Sequence, residues 1–118
     1  MSNSEHPYSL VVEVDGIIYV SGATSIDYES HRPISGRRAA LDAALDEVEN
    51  RLASVGASLS NVTKLTYFLK DLSLRQEANV QFLERFEVPR PARTVLQVTG
   101  IPYDGVVVID ATAHRTSR

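Results

Sequence analysis

The sequence predicts a single α+β domain, residues 1–118, in which two helices cover one face of a mixed β-sheet. Two segments repeat their apolar residues at helical spacing, and five segments have the composition and alternation of strands. Their order is ββαβαββ, and right-handed crossovers through the helices place both on the same side of the sheet. A chain of 118 residues is large enough to bury one core, so no second domain is needed.

The first two strands are predicted to form a hairpin. Residues 9–14 have a strand pattern, and the Asp-Gly pair at 15–16 is typical of the turn that joins antiparallel strands. Residues 17–20 form the returning strand. The polar residues 27–36 indicate a loop.

One helix is predicted before a strand at residues 64–70 and a second helix after it. Ser35 is the candidate N-cap of the first helix and Gly56 its C-terminal stop. The second helix is expected to begin near Ser73, whose hydroxyl can cap it, and to end before Pro89. The first helix repeats apolar residues along one face at Leu41, Ala44, Leu45, Val48, Leu52 and Val55.

The last two strands are predicted at residues 93–98 and 106–113. One face of the final strand is apolar throughout, and the other carries Val106 and Val108 beside Asp110. Helices of the same chain can cover only one face of the sheet. The second, partly apolar face therefore predicts self-association.

Composition excludes several classes of function. The chain has 12 basic and 15 acidic residues, a net charge of −3, with neither sign clustered. Binding nucleic acid or an anionic membrane requires clustered Lys and Arg, so we expect neither partner. The lack of cysteine excludes disulfides, a thiolate nucleophile and Cys-ligated metals. Residues 1–7 lack the pattern of a secretory signal, and we expect a cytoplasmic protein.

Metal chemistry is not expected either. His6, His31 and His114 are far apart in sequence and show no helix-spaced pair of ligands. The glycines occur where turns and a helix end are predicted, rather than in a phosphate-binding loop. No cofactor is therefore predicted.

The segment 90–95 places an arginine at the start of a strand. Pro91 has a fixed φ and favours an extended residue before it, so the approach to Arg93 should be stiff. A guanidinium is a planar fork of donors that matches both oxygens of a carboxylate. Arg93 is therefore a candidate for binding a small carboxylate, and an exposed arginine after a turn is the alternative.

Several short strings occur in order along the chain: Pro7-Tyr8-Ser9, Tyr19-Val20-Ser21-Gly22, Asn61-Val62-Thr63-Lys64, Phe68-Leu69-Lys70-Asp71-Leu72, Asn79, Pro91-Ala92-Arg93-Thr94 and Ile109-Asp110-Ala111-Thr112-Ala113. Together they resemble the Rid family, the small reactive-intermediate deaminases also called RidA-like proteins. The resemblance covers nearly the whole chain. It implies a chorismate-mutase-like fold and a homotrimer in which three sheets pack around a central axis, with the helices outside and a site in each intersubunit cleft.

The resemblance also implies roles for individual residues. Arg93 matches the arginine that holds the substrate carboxylate, and Tyr8 matches an aromatic hydroxyl at the site. Ser21 and Gly22 match the site wall, and Asn79 matches an asparagine of the second helix. A packing role for Tyr8, a turn at Gly22 and a solvent-facing Asn79 are the alternatives. No metal or organic cofactor is implied.

The last strand departs from the family pattern. Family members usually carry two acids there, two positions apart, and the first is thought to orient the attacking water. These positions are Val108 and Asp110, so the water-orienting carboxylate is missing. Asp110 shares a face with Val108 but lies about 6–7 Å further along the strand. It either acts through a water or serves as a structural ion-pair partner. The cysteine often found two residues after the arginine is replaced by Val95.

The leading hypothesis is an enamine/imine deaminase, a hydrolase acting on C–N bonds. Arg93 would hold a 2-imino or enamine acid, Tyr8 and Ser21 would hydrogen-bond the substrate or a water, and Asp110 would orient that water. One alternative is a non-catalytic trimer that binds a keto acid or similar metabolite. Another is a Rid-like enzyme of a specialised biosynthetic or catabolic pathway, in which Val108 accommodates a bulkier group. Ribonuclease activity draws no support from the acidic balance of charge.

Overall fold

Five strands form one mixed sheet in the computed structural model of the chain, which describes residues 6–118. The strands are β1 (Val11–Val14), β2 (Ile17–Thr24), β3 (Val62–Leu69), β4 (Ala92–Gln97) and β5 (Val107–His114). Their order across the sheet is β1-β2-β5-β3-β4. β3 and β4 pair in parallel, and the other neighbours pair antiparallel. The predicted ββαβαββ order and α+β class are confirmed.

Helices α1 (Arg37–Ala53) and α2 (Arg75–Arg85) lie on one face of this sheet. Strand residues pointing to that face, such as Leu65 and Ile109, are fully buried against them. Each large apolar side chain removed from water in this way contributes about 1.5–3 kcal/mol. The predicted apolar stripe of α1 supplies much of the core through Leu41, Ala44, Leu45, Val48 and Leu52. None of the helices in residues 6–118 has the length and apolar character needed to cross a membrane.

Both predicted N-caps are wrong. Gly36, not Ser35, precedes α1; its φ of 97° lies in the left-handed region that favours glycine, and no side chain caps the helix. Asp71 replaces Ser73 as the cap of the second helical segment, because its carboxylate accepts a hydrogen bond from the Ser73 amide at 2.9 Å. That bond starts a 3₁₀ turn, Leu72–Leu74, and α2 begins after it.

β2 is longer than predicted. The strand continues to Thr24, so Ser21 and Gly22 lie inside it, where its pairing with β5 is irregular between Val20 and Ala23. Such a bulge requires long-range pairing with β5, which the local sequence of β2 does not encode.

The second sheet face is partly apolar, as predicted. Several of its hydrophobic side chains are exposed in the single chain, namely Val12, Val14, Tyr19 and Leu96. Self-association through this face stays a prediction.

Candidate functional site

Arg93 lies in β4, the edge strand, on the face that the helices cover, because it pairs with buried Leu65 of β3. Its guanidinium carbon lies 4.8 Å from the ring centroid of Phe82 in α2 and 5.2 Å from that of Tyr67 in β3. Both distances fall within the range of cation–π attraction. The guanidinium therefore contacts an aromatic ring of the helix and one of the sheet.

Helix α2 also accepts two hydrogen bonds from Arg93. Nη2 donates to Oδ1 of Asn79, and Nη1 donates a long bond of 3.5 Å to the carbonyl of Ala78. A guanidinium has five N–H groups, so three lack an acceptor within residues 6–118. The resemblance placed Arg93 and Asn79 in one site, and the two side chains do meet.

Arg93 lacks a neutralising partner in the described part of the chain. It is half-buried, and no carboxylate of residues 6–118 forms an ion pair with it. Burial lowers the pKa of Arg93 below its ordinary value, but an arginine stays charged at physiological pH. A half-buried cation is normally paired. Its free donors are therefore suited to an anion from outside the chain.

A second group of predicted site residues lies around β2. The Ser21 hydroxyl donates to the carbonyl of Ser9 at 2.7 Å, which keeps the segment before β1 beside the bulge. Tyr8 belongs to that segment and is half exposed, with its ring centroid 5.1 Å from that of His6.

Gly22 and Val108 are in direct contact across β2 and β5. A Cβ atom at Gly22 would lie 2.7 Å from Cγ1 of Val108, which is shorter than essentially all real Cβ contacts. Any larger residue at position 22 would therefore require Val108 to shift. The place where the resemblance implies a water-orienting carboxylate is occupied by an apolar side chain packed against backbone.

Asp110 lies two residues further along β5, on the face opposite to the helices. It pairs with Thr66 of β3. Burial raises the pKa of Asp110 above its ordinary value, and this effect exceeds the opposing effects of hydrogen bonding by Thr66 and of the positive charge of Lys64. No ion pair to Asp110 forms within residues 6–118.

The predicted residues thus form two separate groups within one chain. The arginine half-site consists of Arg93 and Asn79. The glycine half-site consists of Tyr8, Ser21, Gly22 and Val108, with Asp110 nearby. Because β5 and β3 lie between β2 and β4, the half-sites are about 14 Å apart at roughly 4.8 Å per strand. One chain does not bring them together.

Sequence reasoning missed two aromatic residues of the arginine half-site. Tyr67 and Phe82 lie on the apolar faces of β3 and α2, and periodicity alone does not connect either of them with Arg93. One signal was available: Tyr67 interrupts an otherwise aliphatic strand face formed with Leu65 and Leu69. A hydroxyl on a core-facing position requires a buried partner.

A cavity of about 810 Å³ lies elsewhere, between the start of α1 and the ends of β3 and β4. Its lining includes Arg37, Lys70, Leu74 and Gln97 but none of the predicted site residues. We place the candidate site at the half-sites rather than at this cavity, because the cavity holds no buried charge without a partner. Its arginine already contacts Glu77 at 2.5 Å.

Comparison with known proteins gives a consistent set of relatives. A family described as Endoribonuclease L-PSP matches residues 2–115. The chain is 31% identical over 110 residues to a RutC family protein of Pyrococcus abyssi, covering 92% of this chain and 87% of the relative. It is 34% identical over 108 residues to the 2-iminobutanoate/2-iminopropanoate deaminase of Bos taurus, covering 91% and 79%. The crystal structure of RidA from an Antarctic Psychrobacter has a TM-score of 0.87 at 30% identity, covering 92% of this chain and 89% of that chain.

Gly22→Ala should destabilise the protein by about 1–3 kcal/mol, because the added methyl group overlaps Val108. Adding Val108→Ala removes Cγ1 and should recover part of this loss. Chemical denaturation of both single variants and the double variant, at one protein concentration, measures the coupling. Equal stability of Gly22→Ala and the native chain, or simple additivity in the double variant, would contradict the contact.

Asp110→Asn should raise the thermal unfolding midpoint at pH 7. The pKa of Asp110 is higher in the folded chain than its ordinary value of 3.8, so ionisation opposes folding above that range. The gain should shrink as the pH falls through the folded pKa, and disappear once the carboxyl is protonated in both states. A gain that stays constant from pH 7 to pH 3 would show that charge burial is not its cause.

Proposed function

This chain belongs to the Rid (RutC) family, and we propose that it hydrolyses reactive 2-imino and enamine acids to 2-keto acids and ammonia. The observation that carries the proposal is Arg93, a half-buried cation with free donors and no carboxylate partner among residues 6–118. Support for the reaction class comes from the bovine relative, which is named for this deamination.

Arg93 binds the substrate carboxylate in this proposal. The guanidinium contacts the rings of Tyr67 and Phe82. Its three N–H groups that lack an acceptor within residues 6–118 lie in its own plane, so an anion is bound along an edge of that plane. An edge-on carboxylate can accept two parallel charge-assisted hydrogen bonds, which are stronger than neutral ones. Asn79 holds one nitrogen and restricts rotation of the group.

We propose that the two half-sites complete one site between neighbouring copies in a homotrimer, the assembly that the family resemblance implies. Two observations support this. The half-sites lie apart in one chain, and the exposed apolar side chains of the second sheet face need a cover. A cytoplasmic location stays a prediction from composition.

The reaction adds water across a C=N bond. The imine nitrogen takes up a proton, water attacks the electrophilic carbon and loses a proton, and the resulting carbinolamine expels ammonia to leave the keto acid. Tyr8 and Ser21 are the proposed hydrogen-bond partners of the substrate or the water, and Asp110 the candidate to orient that water. Imines are reactive already, so positioning of the substrate and stabilisation of charge supply most of the rate.

Val108 favours a second candidate function, in which the assembly binds a keto acid or related metabolite without turnover. Its side chain fills the space beside Gly22, where the family resemblance implies a water-orienting acid. Loss of a general base typically lowers a rate by about 10²–10⁴-fold. The two functions differ in whether ammonia is released.

Arg93→Ala should lower ammonia release from enzymatically generated 2-imino acids by about 100-fold or more. The variant loses a charge-assisted pair of hydrogen bonds to the substrate, each worth roughly 1.5–3 kcal/mol. Arg93→Lys should recover only part of the rate, because an ammonium lacks the planar fork. Arg32→Ala, which changes an exposed loop arginine, is the matched control and should behave as the native chain.

Light scattering should show the same assembly for all of these variants. No acceleration over buffer by the native chain would reject the deaminase for these substrates. Binding of 2-ketobutyrate without turnover, lost in Arg93→Ala, would then identify the metabolite-binding function. Dissociation of the assembly in Arg93→Ala would instead make the arginine structural.

A further inference from the structure

Gln81 is a fully buried polar residue of α2 with both ends of its amide engaged. Its Oε1 accepts a hydrogen bond of 2.8 Å from the hydroxyl of Tyr67. Its Nε2 donates a hydrogen bond of 2.9 Å to Oδ1 of Asp42. A buried polar group destabilises the folded protein unless it is hydrogen-bonded in this way.

These two bonds connect three elements of the fold. Gln81 belongs to α2, Tyr67 to β3 and Asp42 to α1. Asp42 also accepts a bond of 3.0 Å from Nε of Arg38. Burial alone would raise the pKa of Asp42, but donation from Gln81 and Arg38 outweighs it, and the pKa lies below its ordinary value.

An ionised Asp42 fixes the direction of the whole chain of bonds. A carboxylate accepts hydrogen bonds only, so the amide nitrogen of Gln81 must face it and the amide oxygen must face Tyr67. Burial raises the pKa of Tyr67, and its hydroxyl therefore stays protonated and donates to that oxygen. A reversed amide would place its oxygen against the Asp42 carboxylate, which has no proton to donate, and the Tyr67 hydroxyl would lose the acceptor to which it donates.

The same elements hold Arg93. Tyr67 supports one face of the guanidinium, and α2 supplies the ring of Phe82 and the side chain of Asn79 on either side of Gln81 in sequence. Other contacts of α2 with the core, through Ala78 and the neighbouring Phe86, are apolar and non-directional. Its surface ion pairs, such as Arg38 with Glu84 and Arg85 with Asp46, bind it to α1 and not to the sheet. Within residues 6–118, the hydrogen bond from Tyr67 to Gln81 is the directional link between α2 and β3.

We propose that Gln81 is a positioning residue for Arg93. Together with the ion pairs between α1 and α2, its bonds to Tyr67 and Asp42 orient α2 on the sheet, so that Phe82 and Asn79 hold the guanidinium with its free donors towards a carboxylate. Among residues 6–118, Gln81 and Arg93 share no hydrogen bond, so Gln81 acts through Tyr67 and α2. The expected effect, tighter carboxylate binding, rests on the proposed function. The orientation of Arg93 can be tested without a ligand.

The first test monitors the environment of the Arg93 guanidinium by NMR in the ligand-free protein. The ¹H–¹⁵N NMR resonance of its Nε–H group, assigned by its loss in Arg93→Lys, is shifted by the ring currents of Tyr67 and Phe82. Gln81→Met keeps the side-chain length and removes both hydrogen bonds, and should move this resonance towards that of an exposed arginine. Gln76→Met, on the exposed side of the same helix, is the control and should leave it in place.

Tyr67→Phe provides a second, milder variant, because it keeps the ring and removes only the bond to Gln81. It should shift the Arg93 resonance in the same direction as Gln81→Met. If Gln81→Met does not fold, Tyr67→Phe provides the test in its place. An unchanged Arg93 resonance in a folded Gln81→Met or Tyr67→Phe protein would overturn the proposal.

The second test measures coupling to ligand binding, with 2-ketobutyrate as the probe. Gln81→Met should weaken its binding about 10-fold in the native background, and should change it little when Arg93→Lys is already present. An equal loss in both backgrounds would mean that Gln81 does not act through Arg93, and would overturn the proposal. Absence of 2-ketobutyrate binding to the native chain, with the predicted NMR shifts intact, would reject the proposed function and support the positioning role.

Discussion

The half-buried guanidinium of Arg93 is the constraint on which the site depends. A cation removed from water must be compensated, and here the compensation comes from two aromatic faces, an amide and a carbonyl rather than from a carboxylate. Those neutral partners hold the group without neutralising it. The charge is therefore available to a ligand, in contrast to Arg51, whose buried guanidinium bonds Glu47 at 2.9 Å.

The fold explains why the two half-sites lie apart in one chain. The parallel pairing of β3 with β4 puts Arg93 at an edge of the sheet beneath α2, while the bulge of β2 lies beyond β5 and β3. A second copy is the simplest source of the missing half. Such an arrangement would couple ligand binding to assembly, since each site would then require two chains. It would also cover the exposed apolar side chains of the second sheet face.

Much of the fold follows from local patterns, and the errors have tertiary causes. Helical and strand periodicity predicted the element order, and Pro91 with Arg93 indicated the start of β4. The two predicted N-caps were wrong for different reasons. Gly36, with a left-handed φ, precedes α1, and Asp71 rather than Ser73 supplies the side chain that caps the second helical segment. The aromatic support of Arg93 and the contact of Gly22 with Val108 join residues far apart in sequence, which periodicity does not detect. The family resemblance paired Arg93 with Asn79, but it gave no indication of the Tyr67–Gln81–Asp42 chain.

A crystal structure of the protein grown with 2-ketobutyrate tests the central claim most directly. We predict an oligomer with one ligand at each interface between copies, its carboxylate about 2.7–2.9 Å from the guanidinium nitrogens of Arg93. Gly22 and Val108 of the neighbouring copy should line the other side of the ligand. A ligand bound away from Arg93, or copies that pack with the two half-sites apart, would contradict this account.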